Sequence, residues 1–355
     1  MRWDVFCRVV DHYGDVGVAW RLAAQLAARG ESVRLWLDDA RALAWMAPAG
    51  APGVSVQRWA NAISAAPADV ALETFGGGLP DAYVERMAAR PKPPLWVNLE
   101  YLSAERYVER SHRLPSPRQS GPGAGLTTWF YFPGFTPATG GLLREHDLMA
   151  RRSRFDRRPG LRALASGGAC EPRPGERVVS LFCYDNPALP ALLETLAATP
   201  TLLLATDGPA ARQVEAVLGS GLARGALRAV RLPLLDQVGY DHLLWACDLN
   251  LVRGEDSFVR AQWAGAPFVW QAYPQADAAH LPKLDAFLDR LLAAAPPPLG
   301  AEVRALHLAW NGAGRWPARL PDAQAWRVHC TGWRAGLLEQ ADLCTQLLGF
   351  VAETR

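Results

Sequence analysis

No stretch of about 18 apolar residues free of charge and proline occurs in this chain of 355 residues; even 189–205 is broken by Pro190, Glu194 and Pro200. A membrane-spanning helix is therefore not expected. The first residues carry Asp4 and reach Arg8 before an apolar segment of secretory length can form, so no signal peptide is expected either. CxxC pairs are absent among the six cysteines, and Cys7 and Cys183 sit inside apolar, strand-like runs. Reduced, packed thiols in a cytoplasmic protein are the expectation. The net charge of +2 comes without any Lys/Arg run long enough to follow a phosphate backbone, which argues against nucleic-acid binding. Asp-x-Asp is missing, and with it the divalent-metal anchor common in single-domain nucleotide-sugar transferases. The histidines are too scattered for a metal site, and no GxxxxGK[ST] phosphate loop occurs. Neither a metal nor a cofactor is expected.

What is present is a globular balance, half hydrophobic and a fifth charged, in a chain too long for one ordinary core. Apolar runs at 5–10, 32–37, 54–58, 70–74 and 95–99 read as strands. They alternate with helical patterns such as 18–28, where Val18, Leu22 and Leu26 recur at four-residue spacing ahead of Gly30, a left-handed cap, and 81–89. The region 112–139 reads as a long loop, with a burst of aromatics (Trp129, Phe130, Tyr131, Phe132, Phe135) and an unexplained Pro/Gly-rich insert at 116–125. An arginine-rich stretch at 142–164 leads to a linker-like Ala165-Ser166-Gly167-Gly168-Ala169.

Beyond it the alternation restarts. Strands are expected at 178–184, 201–205, 227–232, 249–252 and 268–271, and helices at 188–197, 209–218, 237–247, 257–264 and 278–295. Pro296 to Pro298 stop the last of these, and helical stretches near 301–311 and 323–350 follow. The expected fold is α/β: two Rossmann-like, doubly wound domains facing across a cleft. They are placed at 1–160 and 170–335, with a carboxy-terminal helix at 336–355 packing back on the first.

The first βα turn reads Asp11-His12-Tyr13-Gly14-Asp15-Val16-Gly17. Asp38 and Asp39 stand where a dinucleotide fold keeps its ribose-binding acid, but the glycines are mis-spaced for GxGxxG. Asp11 and Asp15 would also face the phosphates, and at 4 Å two like charges repel by roughly 4 kcal/mol even at an effective dielectric of 20. Asp15 capping the following helix, with Asp11 ending the strand, is one reading. The other is a pair of carboxylates flanking Tyr13, suited to hold a guanidinium and take its proton, provided that the pair faces open space. His12 reads as a solvated loop residue.

After the strand at 249–252 comes Arg253-Gly254-Glu255-Asp256-Ser257-Phe258 and a helix. Backbone N–H groups of Asp256, Ser257 and Phe258, with the Ser257 hydroxyl, suit a diphosphate at the positive end of a helix, while Glu255 and Asp256 can turn toward sugar hydroxyls. An acid-rich, well-capped helix start is the plainer alternative. Phe182 and Tyr184, at the carboxyl end of this domain's first strand, can stack on a base, and Gln237 can bond a base edge or a phosphate.

The run from Phe6 to Leu22 (FCRVVDHYGDVGVAWRL) and that from Arg253 to Gly265 (RGEDSFVRAQWAG), followed by Pro267-Phe268-Val269-Trp270-Gln271, resemble the elongation factor P arginine rhamnosyltransferases. Further matching stretches are WVNLEYLSAE from Trp96, FPGFT from Phe132 and GGLLRE from Gly140. The resemblance implies a GT-B fold and a metal-independent, inverting transfer from dTDP-β-L-rhamnose to an arginine of translation elongation factor P. It implies Asp15 as general base with Asp11 its partner and Glu255 as the acid orienting the donor. Asp256 and Ser257 would hold the diphosphate, Phe182 and Tyr184 the thymidine, and Gln237 the nucleotide. The first domain would take the protein, through Asp11, Tyr13 and Asp15, and the second the donor. His12 departs from the asparagine of the family pattern. Residues 100–109 are a further candidate for acceptor contact. Outside the resemblance, a small-molecule nucleotide-sugar transferase or epimerase, and a non-catalytic module docking a translation factor, remain open.

Overall fold

A computed structural model describes residues 1–10, 13–165, 169–275 and 277–355. Asp11 and His12 lie outside these, as does the centre of the linker expected at 165–169. The described chain divides into two compact units, Met1–His146 with Glu339–Arg355, and Asp147–Leu338. The helices Leu148–Ser153 and Arg157–Ala163, ahead of the expected linker, are part of the second unit.

The first unit holds a seven-stranded sheet of β1 (Arg2–Cys7), β2 (Ser32–Leu37), β3 (Val54–Arg58), β4 (Val70–Thr74), β5 (Leu95–Leu99), β6 (Leu114–Pro117) and β7 (Thr127–Tyr131). Their order is β3-β2-β1-β4-β5-β7-β6, parallel except for the β6/β7 pair. β1 starts three residues earlier than the apolar run and ends at Cys7. The cause is Asp4, a fully buried carboxylate that a reading from hydropathy places outside a core. Its oxygens accept from Arg34 Nε and Nη2 at 2.6 Å each, from Trp36 Nε1 at 2.8 Å and from the Ala68 N–H at 3.0 Å. Those partners lie 30 to 64 residues away, so the strand becomes a strand only once the sheet assembles. Residues 112–139, expected as a loop, contain the β6/β7 hairpin, with the insert as its tip. The Gly125 N–H donates to Arg118 O at 2.9 Å and the Arg118 guanidinium lies 4.4 Å from the Trp96 ring. Trp129 to Tyr131 are consecutive strand residues, as aromatic side chains favour.

The helix Gly14–Ala28 covers this sheet and ends at Gly30, whose φ of +88° lies in the left-handed region that glycine tolerates. It begins one turn earlier than the hydrophobic spacing suggests. The expected single helix at 323–350 is two, Ala323–Leu338 and Leu343–Thr354, the second started by Asp342, whose side chain accepts from the Thr345 N–H at 3.0 Å. Leu343, Leu347, Phe350 and Val351 of the last helix are buried in one cluster with Val5, Leu22, Leu26 and Tyr131. At about 1.5–3 kcal/mol for each large apolar side chain, that burial is a substantial tie between the chain's two ends.

The second unit repeats the plan with β8 (Arg177–Leu181), β9 (Thr201–Ala205), β10 (Ala223–Arg224), β11 (Leu227–Arg231), β12 (Leu249–Arg253) and β13 (Phe268–Gln271), in the order β10-β11-β9-β8-β12-β13, parallel except for β10. β8 stops before Phe182 and Tyr184, which belong to the loop that follows it. Both sheets reverse their strand order beside the first strand of the unit, at β1/β4 and at β8/β12. In open α/β sheets, ligand sites gather outside the strands' carboxyl ends at such reversals. Among the described residues no helix is long and apolar enough to cross a membrane. All six cysteines are free and buried.

Candidate functional site

In the first unit the carboxyl ends of β1, β4 and β5 bring Asp15, Tyr13, Phe75 and Tyr101 into one region. Tyr13 takes the cap position of the helix without a side-chain capping bond, and its half-buried ring meets Trp45 edge-on at 5.2 Å. Asp15 stands inside the first turn. Its carboxylate turns back over the strand end: Oδ2 accepts the Val10 N–H at 2.8 Å and Oδ1 the Tyr101 hydroxyl at 3.3 Å. Capping is thus not its role. It is 2% exposed, so the open space expected of the guanidinium reading is not found at Asp15 itself, and an acceptor has to come to it past its neighbours. Tyr101 is the partner at the surface, 36% exposed. Asp11, the other half of the proposed pair, lies outside the described residues. Asp38 and Asp39 are engaged locally, with the Val9 N–H on Asp38 at 3.0 Å and the Arg41 N–H on Asp39 at 2.9 Å.

Around this carboxylate the loops are tightly specified. Phe75, directly after β4, has φ of +60°, a conformation rare for a residue with a side chain. Its N–H donates to Leu99 O at 2.6 Å and its ring stacks on Tyr101 at 4.3 Å with 10° between planes. Asn98 bridges the next loop, its Oδ1 accepting from the Gly76 N–H at 3.2 Å and its Nδ2 donating to Glu100 at 2.8 Å. Burial raises the Glu100 pKa above its ordinary value, Asn98 opposing the shift.

In the second unit the β8/β12 reversal gathers Phe182, Tyr184, Arg253, Glu255, Asp256 and Ser257. Arg253, the last residue of β12 and 7% exposed, has its guanidinium carbon 4.4 Å from the Phe182 ring and 4.3 Å from the Tyr184 ring. A desolvated guanidinium against two rings gains cation–π stabilisation, on the order of 2 kcal/mol. Gly254 follows with φ of +62°; its carbonyl accepts from Trp270 Nε1 at 2.7 Å, which fixes the turn. Glu255 is the cap residue of the helix Asp256–Ala264 and makes no side-chain capping bond. The helix start leaves the N–H groups of its first turn without acceptors inside the helix. Ser257 departs from expectation: its hydroxyl donates to Arg253 O, and the Arg253 N–H reaches it at 3.2 Å. It locks the strand-to-helix turn rather than offering its proton outward. Gln237 opens the helix Gln237–Ala246, capped by Asp236, which accepts the Gly239 N–H at 2.7 Å. Tyr240, three residues along on the same face, meets Phe182 at 5.7 Å. Gln237 thus shares a helix face with Tyr240, the residue that meets Phe182.

Phe75, Tyr101 and Arg253 were not singled out from the sequence. Tyr101 lies in a segment noted only as a whole. Arg253 had one available signal, a lone charge closing an otherwise apolar strand. Among the described residues no three His, Cys, Asp or Glu side chains gather as a metal site requires.

The fold aligns along its whole length with a solved structure described as the structural basis for EarP-mediated arginine glycosylation of translation elongation factor EF-P. The TM-score is 0.66 at 34% identity, covering 100% of this chain and 99% of that one. It also aligns with the spinosyn rhamnosyltransferase SpnG, TM-score 0.54 at 11% identity over 99% of this chain and 100% of that one, a likeness of fold alone. Two Rossmann-like units with these neighbours define a glycosyltransferase of the GT-B class. Residues 3–352 match the family model "Elongation-Factor P (EF-P) rhamnosyltransferase EarP". The protein-arginine rhamnosyltransferase of Pseudomonas aeruginosa is 44% identical over 376 residues, 99% of each chain. The chain belongs to this EarP rhamnosyltransferase family.

Proposed function

We propose that the chain transfers L-rhamnose from dTDP-β-L-rhamnose to an arginine side chain of translation elongation factor P, with inversion and without a metal. The first unit takes the acceptor and the second the donor. The observation that carries this reading is the opposite chemistry of the two strand-order reversals: a fixed carboxylate at Asp15 in one unit, and a guanidinium with a helix start in the other.

A guanidinium stays protonated at ordinary pH and is a poor nucleophile. Asp15, with Asp11, localises electron density on one nitrogen and takes its proton as the sugar–phosphate bond loosens. Oδ2 is anchored by the Val10 N–H. Oδ1, which accepts the longer bond from Tyr101, is the oxygen that receives the proton. In the second unit Phe182, Tyr184 and Gln237 hold the nucleotide, Glu255 orients the sugar, and Asp256 and Ser257 form the helix start that receives the departing diphosphate. Arg253 adds a full positive charge there, which supplies the neutralisation a divalent cation gives elsewhere. Attack opposite the leaving group inverts the anomeric carbon.

The test is the intact mass of elongation factor P after incubation with the enzyme and dTDP-β-L-rhamnose, with and without a chelator. A deoxyhexose increment on one arginine, undiminished by chelation, is the expected result. Donor consumption without an increment on the protein would favour a small-molecule transferase and overturn the reading.

A further inference from the structure

The geometry points to Tyr101 as the platform on which the acceptor guanidinium is laid, its ring taking the cation while its hydroxyl aims Asp15. This rests on the functional reading above and assigns one more residue to it.

Asp15 is almost wholly buried, whereas Tyr101, bonded to it, is exposed. A substrate reaching Oδ1 from solvent therefore meets Tyr101 at the surface. The ring is fixed in place by Phe75, which stacks on it at 4.3 Å and nearly parallel. That placement is built at a cost. Phe75 sits at φ +60° between β4 and a run of three glycines, and it is pinned there by the bond from its N–H to Leu99 O. Strain of this kind persists where the surroundings over-determine it and is concentrated at functional sites. A planar cation favours the face of an aromatic ring, and guanidinium does so more readily than ammonium because it is planar and more weakly hydrated. A guanidinium stacked on Tyr101 has the Asp15 carboxylate beside it, with an oxygen 3.3 Å from the ring's own hydroxyl. The device thus separates two tasks, stacking by the ring and aiming by the hydroxyl.

Steady-state kinetics with elongation factor P as varied substrate test it. Tyr101→Phe keeps the ring and loses the bond to Asp15; kcat should fall about 5- to 10-fold while the acceptor KM stays within about two-fold. Tyr101→Ala loses both; the acceptor KM should rise about 5- to 30-fold, with the affinity for dTDP unchanged. Phe75→Gly relieves the strained backbone but removes the support, and should raise the acceptor KM by a smaller factor. An acceptor KM unchanged in Tyr101→Ala overturns the proposal; if that variant does not fold, an unchanged KM in Tyr101→Leu does so. Failure of the functional reading looks different, since the unsubstituted enzyme would then leave elongation factor P unmodified.

Discussion

The two units share a strand plan and diverge where it reverses. In the first, the loop after β1 and the following helix start place a carboxylate that accepts from the Val10 N–H and the Tyr101 hydroxyl. In the second, the loops after β8 and β12 place a guanidinium against two rings, just ahead of a helix start. Topology decides where a ligand sits, and the loop residues decide the sign of the charge it meets. The polar anchors are alike in kind. Each unit buries an acid paired with an arginine, Asp4 of β1 with Arg34 at 2.6 Å in the first and Asp241 with Arg260, on the helix Asp256–Ala264, at 2.6 Å in the second. Either pair is costly to break singly, because one partner is left charged and unpaired in the interior.

The comparison breaks most visibly at its charged centres. Asp15→Asn keeps the bond from Val10 but removes the proton acceptor, so turnover should fall by about 10²- to 10⁴-fold while dTDP titration stays near the unsubstituted value. Near-normal modification of elongation factor P by that variant would take the base away from Asp15. The mirror experiment, Arg253→Met, keeps much of the packing on Phe182 and Tyr184 and removes the charge. The affinity for dTDP should drop by about 10- to 100-fold, measured by calorimetry, with little change in binding of elongation factor P. Equal loss at both substrates would mean that the units do not divide the work as proposed.

A smaller effect sharpens the comparison through stability. Each unit holds a histidine whose pKa falls from 6.5 to about 4: half-buried His112 by loss of water, with Arg113 adding to it and a backbone hydrogen bond at Phe132 opposing, and His307 by complete burial in the second unit. A folded-state pKa below the unfolded one means that the unfolded chain binds more protons between the two values. Stability is therefore retained above pH 6.5 and lost as the pH falls toward about 4. His307→Gln should flatten that slope by up to one proton, about 1.4 kcal/mol per pH unit, in unfolding curves taken across this range. A slope unchanged by the substitution would mean that His307 is not among the groups responsible.

Much of the frame was readable beforehand, for identifiable reasons. β2, β3, β9 and β13 and the helix Pro209–Leu218 fall at their expected limits, because an apolar run bounded by glycine, proline or charge carries its own ends. The start of β1 did not, since Asp4 looks like a surface residue until Arg34, Trp36 and Tyr83 close on it. The hairpin at Leu114–Pro117 and Thr127–Tyr131 was hidden by the prolines and glycines of its own first strand and tip. The break between Leu338 and Leu343 was hidden because both sides are helical, and only the return of the chain to the first unit separates them.

At the candidate sites, the residue types and their order along the chain were enough to expect Asp15 near the start of one helix and a helix start directly after Arg253-Gly254-Glu255, because turn chemistry and helix-end polarity are local properties. Orientation is not local. That Asp15 turns inward to Val10 and Tyr101, that Ser257 bonds back to Arg253, and that Arg253 stands between Phe182 and Tyr184 follow from loops on strands far apart in sequence and adjacent in the sheet. Such contacts exist only after β1 has paired with β4 and β8 with β12, so the folded structure alone decided them.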